Sequence, residues 1–547
     1  MGTDSRRFLL AFVLSIAVMF LWSSFFGPKQ PKQGAKPPAP QGATAPAQTA
    51  EKPAATPPPA STAGVPTQAA PAPNAPEETV VLAGNGFTAT FSSWGGALKS
   101  LALQHERFRR KEGNESVPID LVHVEDGQPY PLSLVFTPEG AKEDEALASS
   151  REPMAIAAKD DRSVTFVGKV GAVDVKKTYR LTGKPYELAL ALEVAGGQAG
   201  TVTILYPTYM PPNTSSGGFF SGPPLDYVRP ICHAGEKTER YDPKEGKAPA
   251  KVEGPVGWVG ADQHYFVSAL FPPQAEGTCV LATGALKGTG IAAVALPLEQ
   301  ARKAEFTIYA GPKELDTLRG YGRGFEKAID YGSVAQLFAW FARGLLYVMR
   351  WLQGFVRNWG VAIILLTLLV RVVLFPLTYK SMQSMNEMRK LQPEIEKLKA
   401  KFGSDREKMN QAVMQLYQQH KVNPLGGCLP MLLQMPIWFA LYAALQTSVE
   451  LYHEPFLWIQ DLTQKDPVYV LPALMGVSSF LMQKLSPQPA DNTQAKMMLY
   501  FFPIFFTAIM INVPAGLTLY IFVNNLLSII QQQVMMKKQT ALIAPAK

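Results

Sequence analysis

Three cysteines in 547 residues, Cys232, Cys279 and Cys428, are too few and too scattered for a disulfide scaffold or a cysteine-rich zinc site. Charge is also scarce, with Asp, Glu, Lys and Arg making up 18% of the chain against roughly 25% in soluble proteins. No GxxxxGK[ST] and no HExxH occurs, and the six histidines (105, 123, 233, 264, 420 and 453) are dispersed. No catalytic residue, metal site or cofactor is therefore expected. The longest apolar runs hold no Asp or Glu, and no internal repeat of the kind found in paired-half transporters is visible. A wholly disordered chain is excluded in turn, because 29 Phe, 19 Tyr and 8 Trp can bury a large apolar area.

What is present falls into zones. Arg6 and Arg7 precede an uncharged run from Phe8 to Phe26. At 1.5 Å per residue it reaches roughly 28 Å, close to a bilayer core of about 30 Å. A cleaved leader has a shorter apolar core and a small-x-small site, so residues 1–27 read as an uncleaved anchor with a cytoplasmic N-terminus. Residues 28–76 contain 14 Pro and 14 Ala and no aromatic residue, which makes 28–77 an extended tether outside the cytoplasm.

From 78 to 315 the period changes to two. Runs such as Phe87–Phe91, Ser163–Val167 and Leu188–Val194 lie between Gly, Pro, Asn and Asp turns. They predict an extracytoplasmic all-β sandwich. Whether Cys232 and Cys279 pair there is left open by their spacing. Residues 316–357 form a connector and an amphipathic helix. Gln336, Arg343, Arg350, Gln353 and Arg357 share one helical face, as in a helix lying flat on a membrane surface.

Beyond it, 358–536 reads as a five-helix core: Trp359–Tyr379, Pro430–Val449, Pro467–Gln483, Met497–Ile511 and Ala515–Met536. With the anchor this makes a polytopic α-helical membrane protein of six transmembrane helices. Segment 380–421 carries nine Lys/Arg and five acids, whereas 450–467 carries one Lys and four acids. That asymmetry puts the first segment and the short tail 537–547 in the cytoplasm and the second outside. The net charge of +8 is thus largely topological, and no specific nucleic acid is expected. In the cytoplasmic segment Met382, Met385, Met388, Leu391, Ile395, Leu398 and Phe402 recur at steps of three and four. Ser404 and Glu407 are spaced as a capping box restarting a second helix after Gly403. The expectation is a cytoplasmic helical hairpin. Its methionines serve either as its seam or as an adaptable apolar surface for partners.

Arg371 is the one charge within Trp359–Tyr379. Eight residues from Tyr379, it lies about 12 Å inside the cytoplasmic end. An arginine at that depth costs at least ~2.5–3.5 kcal/mol, and no carboxylate in the other apolar runs can pair with it. A wet groove lined by Thr367, Gln434, Tyr520, Asn524 and Asn525 accounts for it.

Asn423-Pro-Leu-Gly-Gly-Cys-Leu-Pro-Met-Leu-Leu-Gln-Met-Pro436 resembles the signature of the YidC membrane-protein insertases. Val370–Thr378 around Arg371 and Gly257–Phe266 match the same family, over essentially the whole chain. The large β-domain resembles the Gram-negative inner-membrane form. The resemblance implies an ATP-independent insertase and chaperone acting on nascent membrane proteins in the lipid bilayer, alone or with Sec translocon components, and in some relatives with the ribosome. It implies that Arg371, in a substrate groove that includes Gln434 and Met435, draws in acidic translocated segments, while apolar residues of Pro430–Val449 and Met497–Ile511 guide the substrate into lipid. A family position that can be aromatic is Ile521 here, beside Tyr520, and a long basic C-terminal extension is missing. The alternative is a secondary transporter or channel. Because Arg371 and the hairpin lie beyond Ser333, the β-domain is expected to be largely dispensable for insertion.

Overall fold

The computed structural model describes residues 76–543 apart from 113–114, 126, 141–150, 211–226, 243–249, 274–276, 285–287, 332–338, 403–404, 421, 423–424 and 486–496. The anticipated anchor Phe8–Phe26, the Pro/Ala tether and Ser404 lie outside the described residues.

Alternating burial builds the β-domain as expected. In Val173–Leu181 the inward residues are Val173, Val175, Lys177 and Tyr179, with the intervening positions more exposed. Among the described residues, strands form a nine-stranded antiparallel sheet and a five-stranded antiparallel sheet, plus a three-stranded sheet at Thr79–Leu103. The larger sheet is centred on Phe266–Phe271, Lys303–Pro312 and Glu187–Gly196, in register at Ala269↔Tyr309 and Leu188↔Ile308. Phe166, Leu190, Ile204, Val294 and Phe306 lie in one shared apolar core.

Cys232 and Cys279 do pair, linking Arg229–Ala234 of the larger sheet to Thr278–Thr283 of the smaller. Closing a loop over a separation of 47 residues stabilises the fold by about 4 kcal/mol in the chain-entropy account. Such a bond persists in an oxidising compartment, which fits a domain outside the cytoplasm.

The buried charges of this domain are clustered. Asp262 accepts from Arg229 at 3.0 Å, Arg240 at 2.9 Å and Lys313 at 2.5 Å. Burial opposes its ionisation, but the positive charges of Lys313, Arg240 and Arg229 prevail and hold its carboxyl well below the usual range. Arg229 also reaches Asp330 at 2.7 Å, so the cluster fastens the connector to the sandwich. Elsewhere Lys177, buried with no carboxylate, donates to the carbonyls of Gly95 and Leu132 at 2.7 and 2.6 Å, and burial pushes its ammonium down to about 7.

Among the described residues, eight longer helices follow: α1 (Ala339–Val356), α2 (Trp359–Lys390), α3 (Gln392–Phe402), α4 (Arg406–Gln419), α5 (Leu425–Thr447), α6 (Val470–Leu485), α7 (Phe502–Met510) and α8 (Ala515–Ile543). Among the described residues, Trp359–Met388 is the stretch long and apolar enough to cross a membrane, while Val470–Leu485 and Leu499–Met510 are apolar but shorter. Helix α1 buries Ala342, Leu345, Leu346 and Met349 and packs on α5, with Trp340, Tyr347, Trp351 and Phe355 exposed opposite. Its Arg350 is paired with Asp316 and Glu450.

Two expectations shift in the segment 380–421. Helix α2 runs on to Lys390, and the break falls at Leu391, just before Pro393 in the first turn of α3. The cap of α4 is Asp405, whose carboxylate accepts from the Lys408 amide at 3.1 Å, one position beyond the anticipated Ser404. A carboxylate is the stronger partner for a helix N-terminus, since it also complements the dipole. Within this unit α3 and α4 pack together, and His420 lies 3.7 Å from Glu394 between them. Leu391 and Ile395 are buried and Leu398 is half-buried; the side chain of Met385 lies outside the described residues.

Candidate functional site

Arg371 sits in α2 among apolar residues, and its side chain is half-buried. Its partners come from one face of α8. Nε donates to Asn524 Oδ1 at 2.9 Å, Nη2 donates to the Asn524 carbonyl at 3.0 Å, and Nη2 also donates to Ser528 Oγ. Asn524 and Ser528 are one helical turn apart and so lie together on that face. These acceptors are neutral dipoles. They lower the cost of burying the guanidinium and leave its charge uncompensated.

Beside this junction lies a cavity of about 390 Å³ between α2 and α8. Arg371, Gln531 and Tyr379 are the polar residues among its lining, and its walls include Leu368, Phe375, Leu527 and Ile530. Gln531 Nε2 donates in turn to Thr378 Oγ1 at 3.0 Å, tying the two helices together again about two turns beyond Arg371.

The other anticipated residues divide. Gln434 Nε2 donates to Tyr520 Oη at 2.6 Å, which joins α5 to α8 one turn before Asn524. Met435, next to Gln434, is exposed. Thr367 does not line the cavity: it is buried, and its hydroxyl donates to the Ile363 carbonyl at 2.7 Å. A threonine in an apolar helix meets its hydrogen-bonding need locally, which sequence spacing relative to Arg371 does not reveal. Asn525 faces away, donating to Ser478 and Ser479 of α6 at 3.2 and 2.9 Å. Ile521 is buried beside Tyr520. Of the motif Asn423–Pro436, side chains are described only from Gln434 onward.

Ser528, Gln531 and Thr378 complete the polar seam and were missed in the sequence. The available signal was the four-residue step from Asn524 to Ser528. It identifies one face of α8, yet the same spacing occurs wherever a helix carries scattered polar residues.

The motif Gly257–Phe266 serves a different end of the molecule. It forms the strand Val256–Asp262 and the tight turn to Phe266–Phe271, contributing Asp262 to the charge cluster and His264 to the end of α5.

Comparison with known proteins agrees with this division. A family model described as the YidC periplasmic domain matches residues 79–348, and one described as a 60Kd inner membrane protein matches residues 351–541. The membrane protein insertase YidC of Anaeromyxobacter dehalogenans (strain 2CP-C) is 68% identical over 550 residues, covering 100% of this chain and 99% of the relative. That of Syntrophus aciditrophicus (strain SB) is 34% identical over 559 residues, covering 96% of this chain and 98% of the relative. A solved structure of an active YidC insertase, with its first transmembrane domain resolved, is 22% identical. It covers 84% of this chain and 92% of its own, with a TM-score of 0.36. On the full-length matches, the chain belongs to the YidC family of membrane protein insertases.

Proposed function

We propose that this insertase moves the hydrophilic end of a nascent membrane protein into a groove around Arg371 and releases the adjoining apolar segment sideways into lipid. The observation that carries the reading is the set of partners on Arg371. Its guanidinium is held by Asn524 and Ser528 and, among the described residues, forms no ion pair. A cation fixed by dipoles keeps its attraction for an acidic segment. In a low-dielectric setting that attraction is several-fold stronger than in water.

The division of labour follows the zones of the chain. Residues 1–27 anchor, 28–77 tether, 78–315 form the periplasmic sandwich and 316–357 the connector with its interfacial helix. Residues 358–536 form the insertase core, with the hairpin at 380–421, and 537–547 form the cytoplasmic tail. Six transmembrane helices, with both termini in the cytoplasm, satisfy the charge asymmetry of the loops. The exposed Trp340, Tyr347, Trp351 and Phe355 of α1 suit a helix lying at the lipid surface. The short span Met497–Ile511, reaching about 23 Å with its 15 residues, thins the bilayer beside the groove and lowers the barrier to a hydrophilic segment.

The hairpin receives nascent chains before they reach the groove. Partners are nascent membrane proteins, Sec translocon components and the ribosome. No nucleotide is hydrolysed and no covalent step is needed, because the gain from transferring an apolar segment into lipid drives insertion. A transporter or channel draws no support from the relatives, which are named insertases.

Photo-crosslinking of arrested nascent membrane proteins, with the probe placed in turn at Leu368, Gln434, Leu527 and Gln531, tests the reading. Crosslinks to the translocated end at these positions, and none from probes on the lipid side of α2 at Val373, are expected. Crosslinks confined to Val373 would overturn it.

A further inference from the structure

The last carbonyls of any helix lack partners within the helix and carry its negative end. At the end of α5 and in the turn that follows it, backbone carbonyls are met by side chains from the sandwich. His264 Nε2 lies 2.7 Å from the Gln446 carbonyl. Two residues beyond α5, where the short turn Val449–Leu451 begins, Arg107 Nη2 donates to the Val449 carbonyl at 2.6 Å, and the same guanidinium stands 3.5 Å from Glu454. The chain then enters the sandwich itself, since Val449 and Tyr452 belong to its apolar core with no exposed surface. The Tyr452 ring lies 5.4 Å from Tyr265, 5.9 Å from Phe266 and 6.3 Å from Phe108.

These contacts act on a helix whose other half forms the groove. Gln434 precedes the capped end by about 20 Å of helix, so a tilt of roughly 10° about that end would move it by about 3 Å. That is enough to part Gln434 from Tyr520, now 2.6 Å apart. We propose that Arg107 and His264 are positioning residues for insertion. With His264 capping α5, Arg107 holding the turn just after it and Tyr452 as the peg, they hold the groove wall at Gln434 and Met435 in place. The inference rests on the groove reading given above. It also turns the sandwich from a bystander into a stator, whose removal costs rate without abolishing insertion.

The test uses the full-length protein in phosphatidylethanolamine/phosphatidylglycerol vesicles. Arg107→Ala with His264→Ala is compared with Arg107→Lys with His264→Gln, which keeps a donor at both places. Three readouts are taken: amide exchange at residues 446–452, crosslinking of a nascent chain from a probe at Met435, and insertion of paired substrates with acidic and neutral tails. The double alanine variant should exchange faster at 446–452, crosslink less at Met435 and insert about threefold more slowly on both tails, the scale of one net hydrogen bond. The Lys/Gln pair should restore all three. Faster exchange with unchanged crosslinking and insertion would overturn the proposal, leaving a passive contact, and so would unchanged exchange. Should the double variant fail to accumulate, His264→Ala alone decides by the same criteria. Arg371→Ala measured alongside separates the two readings: a tail-dependent loss there with no effect of the caps overturns only the positioning role. Deleting residues 80–310, which removes both caps and bares Tyr452, should likewise slow insertion by about threefold.

Discussion

Arg371 holds Asn524 twice, donating from Nε to the side-chain oxygen at 2.9 Å and from Nη2 to the backbone carbonyl at 3.0 Å. The double contact fixes the plane of the guanidinium and sets its distance from α8. It does so with dipoles alone, so the position of the charge is determined while its sign stays uncompensated.

Replacing Arg371 tests whether the charge or the fit matters. Arg371→Lys should retain most insertion, because a cation remains, although the planar double contact is lost. Arg371→Ala should insert acidic-tailed substrates about tenfold more slowly and neutral-tailed ones nearly normally. Tenfold corresponds to about 1.4 kcal/mol, well within the ~4 kcal/mol between unit charges 4 Å apart at an effective dielectric of ~20. The measurement is insertion of matched substrates differing only in tail charge, with the melting temperature of each variant. Equal loss on both tails together with a large fall in stability would leave Arg371 as a packing element.

Asn524→Asp is the complementary change. It places a carboxylate where the amide oxygen now sits, 2.9 Å from Nε, and neutralises Arg371 from within the protein. Insertion of acidic tails should fall as far as in Arg371→Ala, while the melting temperature holds or rises. Full activity on acidic tails in this variant would contradict a recruiting role for the charge.

The hairpin carries a separate expectation. Leu391 and Ile395 are both buried, so Leu391→Asp with Ile395→Asp would place unpaired charges in apolar surroundings. Capture of nascent chains should drop by about fivefold or more while the membrane helices still assemble. Co-sedimentation of arrested nascent chains with vesicles reads the first, and protease protection of the periplasmic domain reads the second. Undiminished capture would demote the hairpin to a linker.

In the sandwich, Asp262→Asn leaves Arg229, Arg240 and Lys313 without their shared carboxylate. Unfolding should become easier by about 3 kcal/mol, a fall of roughly 6–12 °C in melting temperature. The pH dependence has a defined sign. The folded carboxyl is held below its ordinary value of 3.8, so its contribution is present above that pH and is lost as pH falls below it. Acid melting curves of the wild type and the Asn variant should therefore converge towards low pH. Parallel curves would show that the charge cluster contributes nothing specific.

Much of this protein is legible in its sequence, because the relevant signals are local. Alternation in Leu188–Val194 reports a strand, since side chains on a strand alternate faces whatever lies opposite. The uncharged run before Arg371 reports a membrane helix, since a bilayer sets a length and excludes charge. Arg371 itself stands out because nothing nearby justifies its cost. What the fold alone decided is which distant groups meet. Cys232 and Cys279 face each other only once two sheets stack. Asn524 and Ser528 become partners of Arg371, while Thr367 does not, because α8 presents one face to α2 and a buried threonine meets its need four residues back. The cap moved from Ser404 to Asp405 by one residue, a shift too small for spacing to resolve. His264 reaches the end of α5, and Arg107 the turn just after it, across 182 and 342 positions of chain. No periodicity records such a contact, because its energy depends on where two domains come to rest and not on the residues beside it.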